Sequence, residues 1–313
     1  LIQRILAFFG RHSMPLLAAG ILIGLAVPPL AAAMRPLTAP ILFLLTAATL
    51  LKIEPRAVLA EARRPGRLAA LLLWTMALQP IVMAGLTALL PLPRGLVEAL
   101  VLWSAASPLI SSPALAFLLG LEAPIALVGM TLGTLAMPFT LPPLALALLG
   151  LELEIGVGEL MLRLGIFVGG ALAVALWVRR VVGAARIERA GLEISGLAVL
   201  LLLLFGIGVM DGVQVIFAEQ PRKVLLFVAA AFGGTLAMLA ATAAIFAALG
   251  LRTAFSIALL GGYKNMAVVW ASLGAAASAD LTLYFVAVQL PIYLLPPVLR
   301  PLVRALTPFE SKR

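Results

Sequence analysis

Lys264 carries the most pointed chemistry in the sequence. It stands in the stretch Gly261-Gly262-Tyr263-Lys264-Asn265, twelve positions after Arg252. That is roughly 18 Å along a helix at about 1.5 Å per residue, near the middle of a hydrocarbon core about 30 Å thick. An ammonium at that depth cannot readily snorkel to the interface and is a functional hypothesis by default. It offers one positive charge and three hydrogen-bond donors, which suit a carboxylate or replace a bound cation. The structural alternative is a lysine bonded to backbone carbonyls of an interrupted helix. No Asp or Glu lies comparably deep in any apolar segment.

A second interruption occurs about half a chain length earlier, in Ser104-Ala105-Ala106-Ser107-Pro108-Leu109-Ile110-Ser111-Ser112-Pro113. Pro108, Pro113, Gly261 and Gly262 are the expected helix breaks. Corresponding Gly/Pro interruptions in two halves of a membrane chain are the best sequence pointer to a binding site. Each break frees N–H groups that favour anions and carbonyls that favour cations. The alternative is a pair of unrelated kinks used for packing, but polar residues cluster at both breaks. Lys264, Asn265, Ser111 and Ser112 are therefore the first candidates for contact with a small organic anion. Gln79, in Gln79-Pro80, and Gln289, in Gln289-Leu290-Pro291, are further candidates for the cavity wall. Thr131 and Thr134 are three apart and share a helix face. Taken singly, such residues more often make interhelical hydrogen bonds than bind ligands.

These residues need elements that hold them in a membrane. Of 313 residues, 64% are hydrophobic and 11% charged, so the natural surroundings are lipid. Ten apolar segments are expected, at 14–27, 37–51, 68–90, 96–119, 124–149, 157–178, 192–210, 224–249, 253–275 and 281–299. The first two are short for a span of about 20 residues. No small-residue cleavage pattern of a secretory signal follows the first apolar run. The basic residues Arg4, Arg11, Lys52, Arg56, Arg63, Arg64, Arg67, Arg179, Arg180, Arg186, Arg189, Arg252, Arg300, Arg304, Lys312 and Arg313 fall on one side. Arg35, Arg94, Arg163, Arg222 and Lys223 fall on the other. By the positive-inside rule both termini are cytoplasmic, as an even number of spans requires. The net charge of +9 is spread over these loops and forms no continuous nucleic-acid-binding face.

Five segments lie in 1–150 and five in 151–313. An odd number per half makes the halves enter the membrane in opposite senses, the inverted-repeat plan of many secondary transporters. The fold class expected is therefore an all-α polytopic membrane protein of two inverted five-helix repeats, one integrated transporter domain with broken, crossing fourth and ninth helices.

With these features the chain resembles the bile acid:sodium symporter superfamily over most of its length. The resemblance is carried by the ten-span plan, the two breaks, Ser107-Pro108 through Ser112, Thr131-Leu132-Gly133-Thr134 with Pro138, and Gly262-Tyr263-Lys264-Asn265. It implies a bacterial inner-membrane carrier of small carboxylates, with helices four and nine crossing. It also implies sodium ions held at Ser111, Ser112, Thr131, Thr134 and Asn265, with Gln79 matching a glutamine of helix three. The family pattern Glu-x-Gly-x-Gln-Asn becomes Leu260, Gly262, Lys264 and Asn265 here. A sodium site that loses a carboxylate and gains an ammonium is disfavoured twice on Coulomb grounds. Lys264 then takes the place of the ion, and a buried lysine that loses and regains a proton could couple transport to protons. The coupling ion is Na+, H+ or neither.

Other functions fit less well. There is no Gly-x-Ser-x-Gly, no His-Glu-x-x-His, no facing Asp pair and no Cys, and His12 is the one histidine. An intramembrane enzyme, a resident metal or any other cofactor is therefore not expected. A carrier or exporter of another solute, a channel and an accessory subunit remain as alternatives. The partners expected are the small organic anion and the lipid bilayer, with no nucleic acid. Substrate identity, transport direction and oligomeric state are not encoded legibly.

Overall fold

A computed structural model describes residues 6, 8–9, 13–53, 63, 65–150 and 156–307. Arg4, Arg11, His12, Arg56, Arg64, Lys312 and Arg313 lie outside the described residues. Among the described residues the chain is helical, and its one β feature is an isolated bridge between Pro108 and Lys264. Seven helices are long and apolar enough to cross a membrane: Pro28–Leu51, Pro65–Ala88, Ala123–Leu149, Val157–Val182, Gly191–Glu219, Pro221–Ile245 and Ala279–Leu306. The protein is thus a polytopic α-helical membrane protein.

The other three expected segments miss that length for identifiable reasons. The fourth and ninth are interrupted, and of the first the helix Ser13–Ala26, closed by Val27 and Pro28, is described. The second extends beyond its apolar run at its N-terminal end and spans Pro28–Leu51, 24 residues. Pro28 and Pro29 open it, because a proline in the first turn removes no helical hydrogen bond.

Two compact units divide the chain, and neither coincides with a sequence half. One comprises Leu1–Ile53 and Arg163–Leu226, the other Glu54–Leu162 and Phe227–Arg313. The first unit holds the first, second, sixth and seventh segments. The seventh packs on the first through close backbone approach: a Cβ on Gly24 would lie 2.7 Å from the Ile207 carbonyl oxygen. Small residues at such contacts supply the close packing that holds helices together in lipid. The second and sixth segments pack through Ala47, Leu50, Ala171 and Ala175, with Phe43 edge-on to Phe167. Arg179 closes the end of the second helix by donating to the carbonyls of Ile53 (2.7 Å) and Leu51 (3.3 Å), where a cation meets the negative helix end.

Gly24→Val is expected to cost roughly 1–3 kcal/mol by overpacking. Gly85→Val should cost much less, because a Cβ there meets nothing within 4 Å. Thermal unfolding of the two variants in the same detergent checks the contrast.

The second unit holds the third, fourth, fifth, eighth, ninth and tenth segments. Every residue of the candidate site lies within it.

Candidate functional site

The fourth segment runs as helix Arg94–Ala105, leaves helical geometry over 106–111 and resumes as Ser112–Leu119. The ninth runs as Leu251–Gly262, breaks over 263–265 and resumes as Met266–Leu273. Ala106 and Tyr263 are extended at the two exits (ψ 156° and 112°). The unwound stretches pair with each other. Pro108 and Lys264 form the antiparallel bridge. The Leu109 N–H donates to the Tyr263 carbonyl at 2.9 Å, and the Asn265 N–H donates to the Ser107 carbonyl at 2.7 Å. Backbone freed inside an apolar protein must find partners, and each break here supplies the other's.

The residues expected to break the helices act differently from one another. Pro108 lies inside the break. Pro113 does not break anything: it sits in the first turn of Ser112–Leu119, where its missing N–H costs nothing. Gly261 and Gly262 are the last helical residues of Leu251–Gly262, with no positive φ. Their role is close approach. A Cβ on Gly261 would collide with Thr242 Oγ1 and lie 2.9 Å from Gln79 Nε2. One on Gly262 would collide with the Leu239 side chain and lie 3.1 Å from the Thr235 carbonyl oxygen.

Lys264 is fully buried, and among the described residues it is the one buried Lys, Arg, His, Asp or Glu. Tyr263 and Tyr284 are further buried titratable side chains of this unit. The Lys264 ammonium donates to the Thr75 carbonyl at 2.6 Å. The sequence explains why that carbonyl is free. Residues Trp74–Leu78 are wound as a π-turn, and the Gln79 N–H is diverted to the Trp74 carbonyl. The next residue, Pro80, has no N–H. Thr75 thus loses both its α-type and its π-type partner, and Lys264 replaces them. Single π-turns inside α-helices occur frequently at functional sites. The partner of Lys264 is therefore a main-chain carbonyl of an interrupted helix, as the structural alternative had it. The interrupted helix is the third segment, not the ninth.

Around this strut the third segment is tied to the eighth and ninth. Trp74 Nε1 donates to Thr242 Oγ1 at 2.8 Å. Gln79 Nε2 donates to Thr242 Oγ1 (3.3 Å) and to the Gly261 carbonyl (3.2 Å). Both bonds use the amide nitrogen, so the buried Gln79 Oε1 is left without a hydrogen-bond partner. Ser107 Oγ, Ser112 Oγ, Asn265 Nδ2 and the Tyr263 hydroxyl are likewise buried without one. Buried polar groups are ordinarily paired, and these unpaired ones belong to the two breaks and to the third segment tied to them. The half-helices Ser112–Leu119 and Met266–Leu273 begin here, and neither start is capped by a side chain. An uncapped start favours an anion, most of all at Met266–Leu273, since in Ser112–Leu119 the Ser112 N–H donates to the Leu109 carbonyl at 2.9 Å and Pro113 has no N–H.

The fifth segment completes the wall. A Cβ on Gly133 would collide with Pro108, and one on Gly129 would lie 2.5 Å from Leu260 Cδ1. Met137 Sδ accepts from the Ser107 N–H at 3.3 Å. Gly129, Gly133 and Met137 form one stripe facing the crossing. At about 100° per residue, Thr134 lies roughly 100° from that stripe and Thr131 roughly 160°. Their hydroxyls donate to Met130 and Leu127 carbonyls of their own helix. Ser112, Asn265 and Gln79 are thus joined at the crossing, and Ser111 is half-buried beside it. Gln289 bonds the Phe285 carbonyl of its own helix and has no bond to the crossing. Sequence reasoning missed Trp74, the Thr75 carbonyl and Thr242. Gln79-Pro80 signals the first two, whereas Thr242 is one threonine in an alanine-rich helix.

No protein-family model matches the chain, and no curated protein matches it.

Proposed function

We propose that this protein is a secondary transporter of a small organic anion, built from two inverted five-helix repeats, in which the Lys264 ammonium replaces a bound coupling cation. One observation carries the proposal. The fourth segment of each half is interrupted, and the two breaks meet in an antiparallel bridge, Leu109 N–H to Tyr263 carbonyl and Asn265 N–H to Ser107 carbonyl. The helices on either side match in length: Arg94–Ala105 with Leu251–Gly262, and Ser112–Leu119 with Met266–Leu273. Each compact unit also draws its segments from both halves. Such interrupted pairs place the substrate site near the bilayer midplane.

The anion is expected at the uncapped half-helix starts, with Ser112 and Asn265 as side-chain contacts. Lys264 ties the crossing to the third segment from below. This is the plan of the bile acid:sodium symporter superfamily with a covalently attached cation. Uptake of radiolabelled carboxylates into proteoliposomes tests it. The expected result is saturable uptake with counterflow, indifferent to a sodium gradient and driven by a pH gradient, with the pH dependence lost in Lys264→Gln. Steep sodium dependence that ignores pH would assign the coupling to an ion at Ser111, Ser112, Thr131 or Thr134 instead. Flux without counterflow would indicate a channel.

The proposed orientation puts both termini in the cytoplasm of a bacterial cell. The 313-residue sequence has no cysteine, so Arg186→Cys gives it a single thiol, expected to be labelled from the cytoplasmic side alone.

A further inference from the structure

The π-turn has two ways to bond, and the residues around it select one. As the helix stands, the Gln79 N–H goes to the Trp74 carbonyl and the Thr75 carbonyl goes to Lys264. With ordinary α-winding, the Gln79 N–H would return to the Thr75 carbonyl, which would no longer need Lys264. Pro80 cannot donate in either arrangement, so each winding leaves one carbonyl without a helical partner: Thr75 in the first, Met76 in the second. Neither winding is favoured by its own backbone bonds. Contacts from outside the helix therefore decide between them.

Two such contacts exist. One is the Lys264 ammonium on the Thr75 carbonyl. The other is Thr242 Oγ1, which accepts from both Trp74 Nε1 and Gln79 Nε2. Trp74 and Gln79 are five residues apart, roughly 140° around an α-helix, too far apart to reach one hydroxyl. A π-turn closes on the fifth residue and brings the two side chains to the same side. Thr242 can hold both only while the π-winding persists.

We propose that Trp74–Leu78 is a two-state joint governed by Lys264, and that Thr242 is a positioning residue that holds the π-wound state. The proposal deepens the carrier function above and rests on it for its purpose: it names the element that would sense Lys264. When the ammonium leaves the Thr75 carbonyl, the turn rewinds to α. Helix Gln79–Ala88 then rotates relative to the helix before it by roughly 100°, one residue of α-helix. Gln79 would be drawn away from Gly261, loosening the ninth segment at its break.

The cysteine-free chain allows nitroxide labels at Ile81, Val82 and Leu86, which are 47%, 38% and 44% exposed. Oxygen accessibility of each label reports which face of the helix meets lipid. In Lys264→Met the pattern is expected to shift in phase by roughly 100°, with Ile81 or Leu86 losing accessibility. Thr242→Val, which leaves Lys264 in place, should shift the pattern in the same sense, and Thr242→Ser should keep the native phase. Should Lys264→Met not fold, the Thr242 pair decides alone. A native phase in folded Lys264→Met, or in Thr242→Val, overturns the proposal. The labels are read without substrate, so the two claims fail separately. A phase shift with uptake indifferent to Lys264 would remove the carrier coupling and leave the joint. A native phase with Lys264-dependent uptake would do the reverse.

Discussion

Lys264→Met should lower pH-driven uptake by roughly tenfold to a hundredfold while leaving thermal stability equal to or above that of the natural protein. A lysine kept for stability would behave in the opposite way. The ammonium is fully buried, and its described acceptor is one carbonyl against three donors. Withdrawing a charge from water costs several kcal/mol, and replacing a buried ion by an apolar side chain of similar volume is often neutral or stabilising. Against that stands the loss of one charge-assisted bond and an unpaired Thr75 carbonyl, roughly 1–3 kcal/mol, which rewinding of the turn would recover. Transport should fall by roughly tenfold to a hundredfold or more, the equivalent of about 1.5–3 kcal/mol from such a bond at about 1.4 kcal/mol per decade. Unfolding curves and initial uptake rates on the same reconstituted samples give both quantities. A variant that loses many degrees of unfolding temperature but still transports would make Lys264 a structural strut.

Gly262→Ala should be as damaging to transport, and a second substitution should repair it. The new Cβ would collide with the Leu239 side chain, pushing the eighth segment from the ninth next to the bridge that pairs Pro108 with Lys264. Overpacking of this kind costs roughly 1–3 kcal/mol, and misplacing the Asn265 to Ser107 bond (2.7 Å) would disorganise the crossing. Leu239→Ala makes room in that direction, while the Thr235 carbonyl at 3.1 Å still limits the recovery. The double variant is therefore expected to regain most, but not all, of the uptake and unfolding temperature lost. If Gly262 served as a flexible break, Leu239→Ala would restore nothing.

Both expectations separate what the chain spells out from what folding adds. The membrane class and the positions of the two interrupted helices are legible in one dimension. A composition of 64% hydrophobic and 11% charged residues leaves lipid as the solvent, and a lysine amid apolar residues is costly enough to point to itself. Pro108 and the Tyr263-Lys264-Asn265 stretch interrupt their helices because proline carries no N–H and because each freed backbone has a partner.

Tertiary structure decided the rest. The sequence offers the first half of the chain and the second as natural units, but the compact units combine segments from both, since apolar faces choose partners by packing and not by chain order. Gly261 and Gly262 look like a hinge in one dimension. They are helical, and what requires them is the approach of Thr242 and Leu239 from a different helix. Thr131 and Thr134 share a face, but the stripe that meets the crossing is Gly129, Gly133 and Met137, set by which helix side can approach Pro108 closely. Lys264 announced its charge without its partner, because a hydrogen bond to a main-chain carbonyl 189 positions away leaves no residue type to recognise. Gln79-Pro80 removes that carbonyl's helical partners locally, but only the folded chain brings an ammonium to it.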